Sequence, residues 1–136
     1  MSLDNAAESA TIDMLLKGTD PSWRAGATAY AALIQGAENE AAPMTGECNY
    51  TGYARIPLTK ASAYSGTGAT RSNANQLQWG KRTDAGATQT ATHVIICDTP
   101  SGAVNMAILA DMVDDLDISL NITPIVAAGD LTITVV

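Results

Sequence analysis

No phenylalanine occurs in this chain, and its 136 residues hold only two tryptophans and four tyrosines. A core built without Phe must pack Ile, Leu, Val, Met and many Ala, and an apolar content of 46% supplies enough of them to exclude wholesale disorder. Charge is scarce as well, at 15% of residues against about 25% in a typical domain. A surface so poor in charge is usually covered in part by something else. Basic residues are the rarest, seven in all for a net charge of −7, and only Lys81 and Arg82 are adjacent. Phosphate-backbone binding needs clustered Lys and Arg, so direct nucleic-acid binding is not expected. No apolar run approaches the ~18–20 residues of a membrane span. The first residues also lack the basic-then-apolar pattern of a signal peptide, so a soluble chain made in the cytoplasm, with no membrane partner, is expected. Cys48 and Cys97 have no CxxC spacing, which favours buried thiols and leaves a disulfide between them open.

There is one histidine, His93. Any Ser–His–Asp or Cys–His arrangement must form around it. Cys97 lies on the same expected strand and on the same face. The two are about 13 Å apart at about 3.3 Å per residue, too far for proton transfer. His93 therefore reads as a strand-end side chain with a backbone hydrogen bond. Asp111, Asp114, Asp115 and Asp117 in "ADMVDDLD" are oxygen ligands of the kind Ca²⁺ takes. The best-known calcium loop has a glycine and a closing glutamate that this stretch lacks, so a solvated turn is favoured. "SGTGAT" (65–70) has the glycines of a phosphate loop but no Gly-Lys-Ser/Thr and no following helix. Asn49 and Asn121 begin glycosylation sequons, which carry no weight without a secretory signal. No catalytic residue, cofactor box or metal site emerges, and an enzyme is not expected.

"SLDNAAESATIDMLLKG" reads as a helix, capped by Ser2 or Asp4 and stopped by Gly18. Leu3, Ala7, Ala10 and Met14 form one stripe at helical spacing, widened by Ile12 and Leu15. The stripe packs on its own domain or docks on a neighbouring subunit. Strands are expected at 28–36, at 53–59 with Pro57 marking an edge, and at 76–81 around Trp79. Residues 37–49 are a loop, and the small, polar stretch 60–75 is a long surface excursion. Val94-Ile95-Ile96-Cys97 and 104–110 form a hairpin whose unbroken apolar runs imply cover on both faces. Clean alternation puts Leu116, Ile118, Leu120 and Ile122 inward on one further strand, and Leu131, Ile133 and Val135 inward on the last. A turn, "TPIVAAGD", joins these two. Strands at such intervals argue a mainly β fold, a β-sandwich or jelly-roll-like pair of antiparallel sheets with one N-terminal helix. Residues 1–18 are then a helical arm and 19–136 a single β-sandwich domain.

Four stretches taken in order carry a resemblance. They are "ATIDMLLKGT" followed by "TAYAALIQG"; "TGYARIPLT" with Gly52, Tyr53, Ala54 and Arg55; "WGKRTDAGATQTATHVIICDTPSGAVNMAILAD"; and "AAGDLTITVV". The ordered set resembles a family of small bacteriophage virion proteins often labelled tail fibre proteins. The resemblance implies a virion location. A fibre shaft needs repeats, heptads or a Gly-X-Y period, and none occurs. The first expectation is therefore a capsid decoration, or cement, protein that clamps major capsid subunits from outside. Its partners would be the major capsid protein and copies of itself, commonly as a homotrimer. The helix stripe Leu3, Ala7, Ala10 and Met14 would carry the contact. The second is a tail fibre or tail-tip module facing the host, with Tyr64, Arg71 and Asn73 of the 60–75 stretch as contacts.

Overall fold

The computed structural model describes residues 3–134. Ser2 as an alternative helix cap and Val135 as an inward side chain lie outside the described residues. Helix α1 spans Asn5–Lys17, and both of its ends are set locally. Asp4 Oδ1 accepts from Ala7 N at 2.9 Å, and Gly18, in the left-handed region at φ 69°, donates its N–H to Met14 O. Asp4 also fastens the helix to the sheet. Its N–H donates to Ala107 O at 3.0 Å, and Ala107 N donates to its Oδ1 at 3.2 Å. Leu3 adds a single antiparallel bridge to Ile108. Within the expected stripe Ala7 is buried and Leu3, Ala10 and Met14 are half-buried. Ile12 and Leu15, expected to widen it, are exposed together with Leu16.

The strands are β1 (Thr28–Gln35), β2 (Ile56–Thr59), β3 (Tyr64–Ser65), β4 (Thr70–Asn73), β5 (Leu77–Gln78), β6 (Gln89–Cys97), β7 (Ala107–Ile118), β8 (Ile125–Val126) and β9 (Leu131–Thr134). Seven of them form one curled antiparallel sheet in the order β2-β1-β6-β7-β9-β4-β3, and β5 pairs with β8 in a small second sheet. The protein is thus mainly β with one N-terminal helix, the class read from the sequence. Pro57 sits on edge strand β2, where its missing N–H costs no ladder bond.

The centre of the large sheet is β1, β6 and β7, and it is covered on both faces. Ala31, Leu33, Val94, Ile96 and Ala110 join one cluster with Tyr50, Trp79 and Leu131. Ala32, Ile34, Ile95, Cys97, Ala107 and Leu109 form the other. This double cover explains why the 94–97 run shows no alternation. Cys48 belongs to the first cluster and Cys97 to the second. Both are free thiols, which closes the disulfide alternative.

Five local readings change. Residues 60–75 are not only a surface excursion: β3 and β4 lie within them and join the sheet through β9. The return arm of the hairpin begins at Ala107, because the Asp98 carboxylate gathers Asn105 N at 2.9 Å and Met106 N at 3.2 Å into the connection. The acidic stretch is not a solvated turn. It belongs to β7, where Ala91 pairs with Leu116 and His93 with Asp111, so Thr92 alone faces residues 112–115. Within that bulge β7 turns to β9, pairing Asp111 with Thr132 and Met112 with Leu131. The expected separate strand 116–122 is the end of β7, and Leu120 and Ile122 are exposed rather than inward. Finally, "TPIVAAGD" contributes β8 as well as a turn.

Candidate functional site

Several buried polar groups first have to be assigned to structure. Arg55 Nε and Nη2 hold the Glu47 carboxylate at 2.8 and 2.9 Å. Its Nη1 donates to Thr99 O at 2.9 Å and Thr99 Oγ1 at 3.0 Å, and Nη2 also reaches Gly102 O at 2.8 Å. Tyr53 Oη donates to Glu47 Oε1 at 2.9 Å and accepts from Leu33 N at 3.1 Å. Burial pushes the Tyr53 hydroxyl far above its ordinary range. Arg82 donates to Ala87 O at 2.8 Å and Ile118 O at 2.7 Å while pairing with Asp84 at 2.6 Å. The loop holding Gly52 crosses the one holding Gly80 so closely that a Cβ on Gly80 would collide with Gly52 O. Trp79 follows β5, and its Nε1 donates to Ala31 O at 3.1 Å. The Gly-Tyr-Ala-Arg and Trp-Gly-Lys-Arg motifs therefore act as internal staples.

His93 is in the middle of β6, not at its end. Its Nδ1 lies 3.0 Å from Thr92 Oγ1, and its buried Nε2 has no partner among the described residues. Burial lowers its pKa. Burial likewise pushes the Cys48 thiol up to about 11 and raises the Cys97 thiol, which keeps both protonated and poorly nucleophilic. Among the described residues, no three His, Cys, Asp or Glu side chains gather as a metal-binding group.

The open feature lies on the face of the large sheet that Trp79 and the small sheet cover only in part. There an apolar groove of about 520 Å³ crosses several strands. Its floor is Ala29 of β1, Ile96 of β6, Ile108 of β7 and Ile133 of β9, with Met106 beside them. Trp23, from a 3-10 turn at Ser22–Arg24, and Tyr64 of β3 form walls. Arg24, Lys60 and Arg71 also line it, so three of the chain's seven basic side chains meet at one groove that no acidic side chain lines among the described residues. Arg24 pairs with Asp20. Lys60 Nζ donates to Trp23 O at 2.6 Å, and Arg71 Nη1 donates to the carbonyls of Gly68 and Thr70, each at 2.9 Å. The Tyr64 hydroxyl is buried without a partner among the described residues, and burial raises its pKa.

Tyr64 and Arg71, singled out from sequence, are thus brought together. Asn73 is not with them: it is buried, donating to Asn75 O and Ala127 O at 2.8 Å and accepting from Gly129 N and Leu131 N at 3.0 Å. Leu3, Ala7, Ala10 and Met14 do not line the groove. Sequence reading missed Trp23, Lys60 and Ile133. The one signal available was a large aromatic beside Arg24 in the turn-rich "PSWRAG".

A family model described as podophage GP4 fiber I protein gp80 matches residues 2–134. No curated protein matches the chain.

Proposed function

The chain belongs to the podophage GP4 fiber I protein gp80 family, a phage virion family of fibre type, and from that premise we propose that it is a fibre component of the particle that works by association. The match over residues 2–134 carries this reading. The groove supports it. Its lining is mostly aliphatic and aromatic, which suits apolar side chains of another protein surface better than the hydroxyls of a glycan. The proposed role is association and calls on no catalytic step; Cys97, the thiol weighed beside His93, is buried.

Attachment to the head as a decoration protein is the second reading. It is favoured by the absence of shaft-like repeats among the described residues, which form two sheets and one helix. Gold-labelled antibody against the chain, applied to intact particles, separates the two. Label on fibres projecting from the tail supports the first reading, and label distributed over the head faces supports the second. A purified, infectious particle that lacks the chain would remove both.

A further inference from the structure

We propose that the groove receives a segment of a different virion protein in which an acidic residue stands among large aliphatic ones. The acid pairs with Arg71, and the aliphatic side chains lie on Ile108 and Ile133. The chain's own arginines carry the argument. Arg82 spends Nη1 on two carbonyls, Ala87 O and Ile118 O, and presents Nε and Nη2 to the Asp84 carboxylate at 3.1 and 2.6 Å. Arg55 likewise turns Nε and Nη2 to Glu47 at 2.8 and 2.9 Å, with Nη1 on Thr99 O. Arg71 repeats half of this plan. Its Nη1 is held by Gly68 O and Thr70 O, and no carboxylate among the described residues meets its Nε and Nη2 edge. That edge is the fork that fits a carboxylate. Two carbonyls aim it, and the side chain stays exposed.

Charge and hydrogen bonding agree on the occupant. Arg24 is neutralised by Asp20, so the unneutralised cations of the groove are Arg71 and Lys60, whose Nζ donates to Trp23 O. The Tyr64 hydroxyl, buried without a partner among the described residues, is a third donor. The groove thus offers donors and positive charge, and its occupant has to bring acceptors and negative charge. The apolar lining sets the rest. A carboxylate on a hydrophilic segment would leave Trp23, Ile108 and Ile133 facing water, whereas aliphatic neighbours of the acid cover them. Two copies of a chain of net charge −7 repel each other, which turns the choice to a different protein.

The inference deepens the association reading and rests on it, but the two fail separately: gold label finds whether and where the particle carries the chain, whereas a crosslink reads what fills the groove wherever the chain sits. In phage assembled with the full chain carrying Trp23→p-benzoylphenylalanine, ultraviolet light joins that groove wall to its neighbour, and mass spectrometry reads the joined peptide. The expected peptide belongs to another virion protein and holds Asp or Glu beside Leu, Ile, Val or Met. Its acid is then changed to Lys, and Lys60→Glu with Arg71→Glu is made in this chain. Each change alone should lower the copies of the chain per particle about tenfold, and the two together should restore them. Unchanged circular dichroism melts show that the variants fold; Arg71→Gln is a milder variant, expected to lose part of the occupancy. A crosslink to a second copy of this chain, to a lipid, or to a segment without an acid would overturn the proposal. So would particles that carry the chain and give no crosslink, or a charge exchange that restores nothing.

Discussion

Every nitrogen of the Arg55 guanidinium has a partner, from Glu47 on one side to Thr99 and Gly102 on the other. The Arg55 side chain is 2% exposed, against 66% for Lys17 in its pair with Asp13. Breaking a buried pair from one side leaves the other charge stranded and costs about 3–5 kcal/mol, whereas an exposed i,i+4 pair contributes about 0.3–0.5. Arg55→Met should therefore lower the urea midpoint by an amount matching the first range, with unchanged slope, and Lys17→Met by almost nothing. Arg55→Lys should behave like Arg55→Met, because an ammonium cannot fork across the Glu47 carboxylate. Acid acts through three other residues, Asp84, Asp98 and His93; against its burial, hydrogen bonds from Asn105 and Met106 N hold the Asp98 carboxyl below its ordinary range. Hydrogen bonds from Arg82, then from Thr51 N and Gly86 N, hold Asp84 down to about 2, against about 3.9 in an unfolded chain. The folded state then binds fewer protons, so this contribution is complete above about pH 4 and is lost as the pH falls toward 2. Burial lowers His93 below its unfolded value of about 6.5, so its contribution is complete above that pH and fades below it. Urea midpoints measured from about pH 8 down to about pH 3 should fall in two stages. His93→Gln should flatten the upper stage and Asp84→Asn should shrink the lower one, which Asp98 shares.

Helix α1 and the sheet meet through one carboxylate. Asp4→Ala removes the cap, worth about 1 kcal/mol, and leaves the buried Ala107 N without its acceptor, a further cost of about 1–3 kcal/mol. Amide exchange in residues 5–9 should accelerate strongly in this variant while β6 stays protected; unchanged exchange in the helix would show that its anchorage lies elsewhere. The helix was legible in the sequence because both of its stops, Asp4 and Gly18, act on neighbouring residues. The hairpin was legible because an apolar run with no alternation has few other homes. Strands β3 and β4 were not. They are short and polar, and β4 pairs with β9, in which Thr134 lies opposite Thr70. The bulge of β7 escaped for the same reason: Asp114 and Asp115 look like a turn until Leu131 and Thr132 of β9 supply the pairing. The groove was half legible. Tyr64 and Arg71 stood out by type, but Trp23, Lys60, Met106 and Ile133 come from separate parts of the chain and meet only after the sheet curls.

At the scale of the whole molecule, composition and architecture describe the same strategy. Two of the seven basic residues, Arg55 and Arg82, are buried as staples, and three others gather at one apolar groove. The acids stay distributed over an otherwise negative surface. Such a chain carries repulsion over most of its surface and gathers three basic side chains at one apolar groove. The capsid-clamp expectation placed its contact on the helix stripe Leu3, Ala7, Ala10 and Met14. The first part of that stripe meets the chain's own sheet, while the exposed apolar face is Ile12, Leu15 and Leu16. Electron cryomicroscopy of the intact phage particle at side-chain resolution tests the central claim most directly. The account predicts this fold within a fibre, with the groove at Tyr64, Arg71 and Ile133 filled by apolar side chains of an adjoining subunit. A particle in which the fold is present but that groove stands open to solvent would contradict it.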